Sequence, residues 1–308
     1  MRSALPTWTF ELLSRFALAA LLLLVPTAVV AHPARGIVAA PGGVVYFSDL
    51  ERIWSVAPDG RLALVREHRG IHTHALALTR GGDLLGEDSE YDPADGRYRE
   101  SIWRISRDGR FSYVYGPTKS LGRGVGLMRD ARGCTYHSDQ TGPGGRPLVH
   151  RKCPGRAAER LVGRAADDRL FRPALVNDVA GVALAPDGSF YFRQGTMLRK
   201  RSPDGRATVL ASGLTPENFG IALDPRGNVY VAEFARRRVL RITSAGRRDA
   251  VISSAPPWHP TGVAFRDGAL FVLEATGPRP AGEAGMRVRK AANGTVQTIA
   301  TVRIPRPR

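Results

Sequence analysis

The feature that most restricts this chain is a motif recurring along nearly its whole length. Each copy joins a short apolar strand to a second strand, most with Tyr or Phe, across a Gly-containing turn. The first strands read Gly36-Ile37-Val38-Ala39, Ala75-Leu76-Ala77-Leu78, Gly124-Val125-Gly126-Leu127, Gly181-Val182-Ala183-Leu184, Gly220-Ile221-Ala222-Leu223 and Gly262-Val263-Ala264-Phe265. The second strands include Val45-Tyr46-Phe47, Leu84-Leu85-Gly86, Cys134-Thr135-Tyr136, Phe190-Tyr191-Phe192, Val229-Tyr230-Val231 and Leu270-Phe271-Val272. Turns such as Pro186-Asp187-Gly188 fix φ with proline and accept a positive φ at glycine. A third strand follows in most copies, as at Ile53-Trp54-Ser55-Val56, and a fourth closes the unit. Four antiparallel strands at a period of roughly 40 to 55 residues mark propeller blades, and a sandwich does not account for the recurrence. The prediction is all-β: a six-bladed β-propeller with four antiparallel strands per blade. Blades are expected at about 36–66, 75–116, 124–163, 181–213, 220–254 and 262–304.

Residues 1–31 read as a signal peptide before a propeller of residues 32–308. Arg2 and Arg15 precede an apolar run from Phe16 to Val25, and Ala28-Val29-Val30-Ala31 supplies small residues for cleavage. Pro26 and the shortness of the run argue against a retained anchor. The expected location is therefore periplasmic or secreted. The formal charge of +17 suits an anionic envelope surface. Its arginines are spread along the chain with no nucleic-acid-binding motif beside them, so no specific nucleic acid is expected. A monomer is expected.

The stretch Gly220-Ile221-Ala222-Leu223-Asp224-Pro225-Arg226-Gly227-Asn228-Val229-Tyr230-Val231-Ala232-Glu233 resembles an NHL repeat. The same pattern is found in the senescence-marker-protein/gluconolactonase family and in paraoxonase-like propellers. The resemblance extends over the mature chain at the level of the repeat and implies the fold more than any one activity.

Blade topology places the Pro-Asp-Gly turns on one face. On the other lie the long insertions Ser89–Ser101, Gln140–Pro147 and Ala275–Gly285, so function is expected there. His72, His74, Asn177, Asp178, Glu217, Asn218 and His259 precede first strands on that face. Asp49, Glu87, Asp88, Asp139, Glu233 and Glu274 end second strands there. Carboxylate and amide oxygens suit calcium, whereas imidazoles suit zinc or general-base work. Two further readings stand beside this one: Asp49 and Asp178 as backbone caps, and Glu233 and Glu274 as structural partners of arginine.

The resemblance implies a central calcium held by asparagines, matched here by Val176-Asn177-Asp178-Val179 and Glu217-Asn218-Phe219-Gly220, with a catalytic histidine at His74. The chain departs from that pattern at Ala34-Arg35-Gly36 and Pro260-Thr261-Gly262, where acidic ligands are expected. The candidate assignments are thus His74 and His72 as catalytic groups. Asn177, Asn218, Glu87 and Glu233 are the candidate ligands of a divalent metal, and His259, Asp139, Glu274 and Asp49 the substrate contacts. Cys134 and Cys153 flank a blade-3 hairpin symmetrically and are expected to form a disulfide, as suits an exported chain. Two functions follow. One is small-molecule binding at the channel mouth, with metal-dependent hydrolysis of a lactone or aryl ester. The other is a non-catalytic module recognising a protein or polysaccharide.

Overall fold

The computed structural model describes residues 33–119, 124–129, 134–142, 146–153, 155–157, 159–162, 179–215, 218–276 and 284–304. The signal-peptide expectation therefore lies outside the described residues. Blade 1 contains β1 (Ile37–Ala39), β2 (Val45–Ser48), β3 (Arg52–Val56) and β4 (Leu62–Glu67). Blade 2 contains β5 (Ile71–Leu78), β6 (Leu84–Asp92), β7 (Arg97–Ile105) and β8 (Phe111–Thr118). The next sheet contains β9 (Gly124–Arg129), β10 (Thr135–Gly142), β11 (Arg146–Lys152) and β12 (Glu159–Val162). Blade 4 contains β13 (Val179–Leu184), β14 (Phe190–Gln194), β15 (Met197–Arg201) and β16 (Ala207–Ala211). Blade 5 contains β17 (Asn218–Leu223), β18 (Val229–Glu233), β19 (Arg238–Ile242) and β20 (Arg248–Ser253). Blade 6 contains β21 (Trp258–Arg266), β22 (Ala269–Thr276), β23 (Ala284–Ala292) and β24 (Thr295–Ile304).

Each group forms a four-stranded sheet of consecutive antiparallel strands. Neighbouring inner strands touch in the order β1, β5, β9, β13, β17, β21 and back to β1. The expectation of six blades of one kind is corrected in one respect. Five sheets are described with their side chains, and β9–β12 by its backbone ladder, with side chains only near its cysteines. The expected second-strand limits also change. Part of the presumed loop Ser89–Ser101 is a paired extension of β6 and β7, which run 9 residues each against 4 and 5 for β2 and β3. Extending the ladder satisfies backbone groups that a loop would leave to water.

Apolar residues alternate along the strands and fill the spaces between blades. Phe47, Leu50 and Val56 of blade 1 meet Phe271, Leu273, Met286 and Val288 of blade 6. Ile53 meets Leu76, Leu84 and Trp103 between blades 1 and 2. Leu198 and Tyr191 meet Val231 and Leu240 between blades 4 and 5. Each fully buried side chain of this size contributes about 1.5–3 kcal/mol. Blade 6 uses its own β24, so the seam with blade 1 is closed by this packing and not by an exchanged strand.

The recurring glycine that opens the inner strands has a steric cause. A Cβ on Gly262 would lie 2.3 Å from the carbonyl oxygen of Arg35, and one on Gly220 would lie 2.8 Å from Gly262 Cα. At these two positions adjacent inner strands approach so closely that only glycine fits. Cys134 and Cys153 form the expected disulfide, closing the β10–β11 hairpin.

Candidate functional site

Positions at or near the end of the second strand recur from blade to blade. Four of these positions hold described carboxylates, and all four are engaged. Glu233, fully buried, accepts from Arg238 Nε at 2.6 Å, Arg236 Nη1 at 3.4 Å and the Thr215 amide at 3.2 Å. Glu274, equally buried, accepts from Ser254 Oγ at 2.5 Å, Arg289 Nη1 at 3.3 Å and Arg287 Nε. Asp49 accepts from the Arg52 amide and Trp54 Nε1, both at 2.9 Å. Asp88 accepts from Thr73 Oγ1 at 2.7 Å and Arg66 Nη1 at 3.3 Å. A buried carboxylate needs such partners to offset its desolvation. Asp49 is thus held within blade 1, Glu233 and Glu274 tie their own third strands to the connection arriving from the blade before, and Asp88 joins blade 2 to Arg66 of blade 1; in blade 4 the position is the neutral Gln194.

The remaining candidates separate. Asn177 lies outside the described residues. Asn218 faces Glu233 across the β17–β18 ladder, and Asp139 faces Leu148 across β10–β11, with their side chains outside the described residues. Glu87 is buried on β6 opposite Ala75 and Ile102. Among the described residues no group of three His, Cys, Asp or Glu side chains could hold a metal ion.

His72 and His74 do come together, with ring centroids 6.0 Å apart and planes at 72°. β5 bulges at His74. Thr73 pairs with Asp88, and Ala75 already with Glu87. A bulge residue is re-aimed relative to its strand. Burial pushes the His72 imidazole below its usual pKa, against a smaller upward pull from Glu51. His72 is therefore a neutral base at pH 7.

His259, on β21, stacks on Phe234 with centroids 4.4 Å apart. Its Nδ1 lies 2.9 Å from the Phe234 carbonyl oxygen. A carbonyl only accepts, so Nδ1 carries a proton, and in the neutral ring Nε2 is the acceptor.

Residues that sequence reasoning missed surround Thr73. His68 Nε2 is 3.0 Å from Thr73 Oγ1, and His68 Nδ1 is 3.5 Å from Asp88 Oδ2. Burial lowers the His68 pKa most; Asp88 and Glu51 raise it, while Arg66 and His72 lower it. The signal available in the sequence was an acid near the second-strand end followed by an arginine in the third strand, as in Asp49 and Arg52 or Glu233 and Arg238.

No family model matches the chain, and no curated protein matches its sequence. Its fold is shared with solved structures of low identity. One is the gluconolactonase XC5397 of Xanthomonas campestris, at 17% identity and TM-score 0.59, covering 78% of this chain and 83% of that one. Another is the calcium-binding protein regucalcin of Agrobacterium tumefaciens, at 15% and 0.58, covering 78% and 81%. A third belongs to a nidogen/laminin complex, at 16% and 0.60, covering 75% and 83%. At these identities the likeness shows the propeller fold.

Proposed function

We propose that this chain is an exported propeller that binds a small molecule at its channel mouth and hydrolyses a lactone or ester there. The observation that carries the proposal is the pair His72 and His74, set 6.0 Å apart at a bulge, with His72 held neutral by burial. A neutral imidazole takes a proton from water as the oxygen adds to the acyl carbon. The same proton then goes to the departing alkoxide, so water and lactone give a hydroxy acid. His259, with Nε2 as acceptor, is suited to receive a substrate hydroxyl. Likeness in fold to a gluconolactonase and to regucalcin supports this substrate class.

A divalent metal, calcium above all, is the cofactor that the family resemblance implies. The described donors do not fit one: both Glu233 oxygens are occupied by arginines and a backbone amide.

The test is a panel of lactones and aryl esters with purified protein, with and without chelator. Turnover that survives chelation and falls at least a hundredfold in His72→Ala supports the proposal. Absence of turnover on every substrate refutes it, and loss of turnover on chelation alone refutes the imidazole scheme. The second reading is a non-catalytic module. It is favoured by the engagement of Asp49, Asp88, Glu233 and Glu274 in ion pairs with arginines and by likeness to a propeller from a nidogen/laminin complex.

A further inference from the structure

Thr73 stands between His72 and His74 and is fully buried. It is fastened at every polar atom. Its amide donates to the Leu50 carbonyl at 2.8 Å, and its own carbonyl accepts from Ser48 Oγ at 3.0 Å. Both of those partners belong to blade 1. The hydroxyl donates its single proton to Asp88 Oδ1 at 2.7 Å. Its contact with His68 Nε2 at 3.0 Å must then run the other way, with His68 donating. His68 therefore carries a proton on Nε2. Asp88 is held in turn by Arg66 at 3.3 Å, whose guanidinium lies 4.9 Å from the Trp103 ring centroid.

The chain of contacts Arg66–Asp88–Thr73–His68 joins blade 1 to blade 2 at the residue just before the bulge. A bulge carries an unpaired residue, and its direction depends on how firmly the adjacent pair is held. Here that pair is Thr73 and Asp88. A hydroxyl making two side-chain hydrogen bonds while its backbone is tied to the neighbouring blade leaves Thr73 no alternative rotamer.

We infer that Thr73, clamped by Asp88 and the Nε2–H of His68, is a positioning residue that sets the mutual geometry of the His72 and His74 imidazoles. It touches no substrate and acts through the two rings that flank it. The inference rests on the reading of those rings as the working groups of the channel mouth. It is a network assembled from side chains of two blades, so neither blade's repeat predicts it.

The test compares Thr73→Val, which keeps the shape and removes the hydroxyl, with Thr73→Ser, which restores it. The first readout is imidazole nitrogen–proton NMR of His72 and His74 across pH, which needs no turnover. In Thr73→Val both rings should shift their resonances and lose their mutual ring contacts, and Thr73→Ser should return them to the parent pattern. The second readout is ester or lactone turnover, where kcat should fall about tenfold with KM little changed, and recover in Thr73→Ser. Unchanged His72 and His74 spectra in a folded Thr73→Val protein overturn the inference, whatever the turnover. If the parent turns over nothing, the NMR comparison still decides the positioning role while the hydrolase reading fails by itself. His68→Leu, which removes the donor to Thr73, serves the same comparison should Thr73→Val not fold.

Discussion

Replacing Gly262 by alanine tests the steric account of the repeat. The added Cβ would lie 2.3 Å from the Arg35 carbonyl oxygen and 2.9 Å from Ile37 Cγ2, where an ordinary contact begins at 3.4 Å. A clearance of roughly 1 Å must be found, and the first obstacle is backbone, which cannot swing aside as a side chain can. Overpacking costs about 1–3 kcal/mol, and a backbone obstacle sets this site at the upper end. About 3 kcal/mol corresponds to roughly 6–12 °C of melting temperature for a domain of this size. Gly116 is the control: it is exposed on β8, a Cβ there meets nothing within 4 Å, and its φ is not positive. Gly116→Ala should be neutral or stabilise by up to about 1 kcal/mol, through the unfolded chain. The assay is thermal unfolding of both variants followed by circular dichroism. A Gly262→Ala protein melting within a degree of the parent would refute the idea that glycine is there to let inner strands meet.

Glu233→Ala, which leaves the buried Thr215 amide without its acceptor beside two partly exposed arginines, should cost about 1–3 kcal/mol in urea unfolding; Glu233→Gln should cost less. His68 and His72 both have pKa values lowered by burial, so the folded state resists their protonation relative to the unfolded chain. Their stabilising effect is present above the unfolded value of about 6.5 and is lost as pH falls through it toward the folded values. Urea midpoints measured at pH 7.5 and 5.5 should therefore drop, and drop less in a His68→Gln, His72→Gln double variant. Reduction of the Cys134–Cys153 bridge, which spans 19 residues, should cost about 3 kcal/mol, with thiol titration giving none before reduction and two after it.

The strand pairs and their turns were legible because alternation and the glycine–proline turn chemistry are local. The disulfide was legible because hairpin symmetry sets Cys134 against Cys153. The carboxylates were harder. Glu274 and Arg287 stand opposite one another on β22 and β23, 13 residues apart in sequence, and only the register joins them. The same holds for Thr73, whose partners Asp88 and His68 reach it through a bulge and from another blade. Composition shows an acid near an arginine-rich chain; it does not show that the acid is already occupied. The histidine pair was visible as His72-Thr73-His74, but its geometry depends on an extra residue in β5 that no periodic pattern announces.

The packed seam between blades 6 and 1 also constrains how this ring comes into being. Phe47 and Val56 meet Leu273 and Val288, so the contacts that close the circle join parts of the chain more than 200 residues apart. Among the described residues no shared strand holds the two ends in register while they search for one another. Loop-closure entropy must be met before those contacts return anything, which makes the seam a natural last event in folding. During synthesis, blades 1 to 5 can assemble as an open arc that shows the apolar face of Phe47 and Val45 to its surroundings. Whatever handles the nascent chain must shield that face until the final strands arrive.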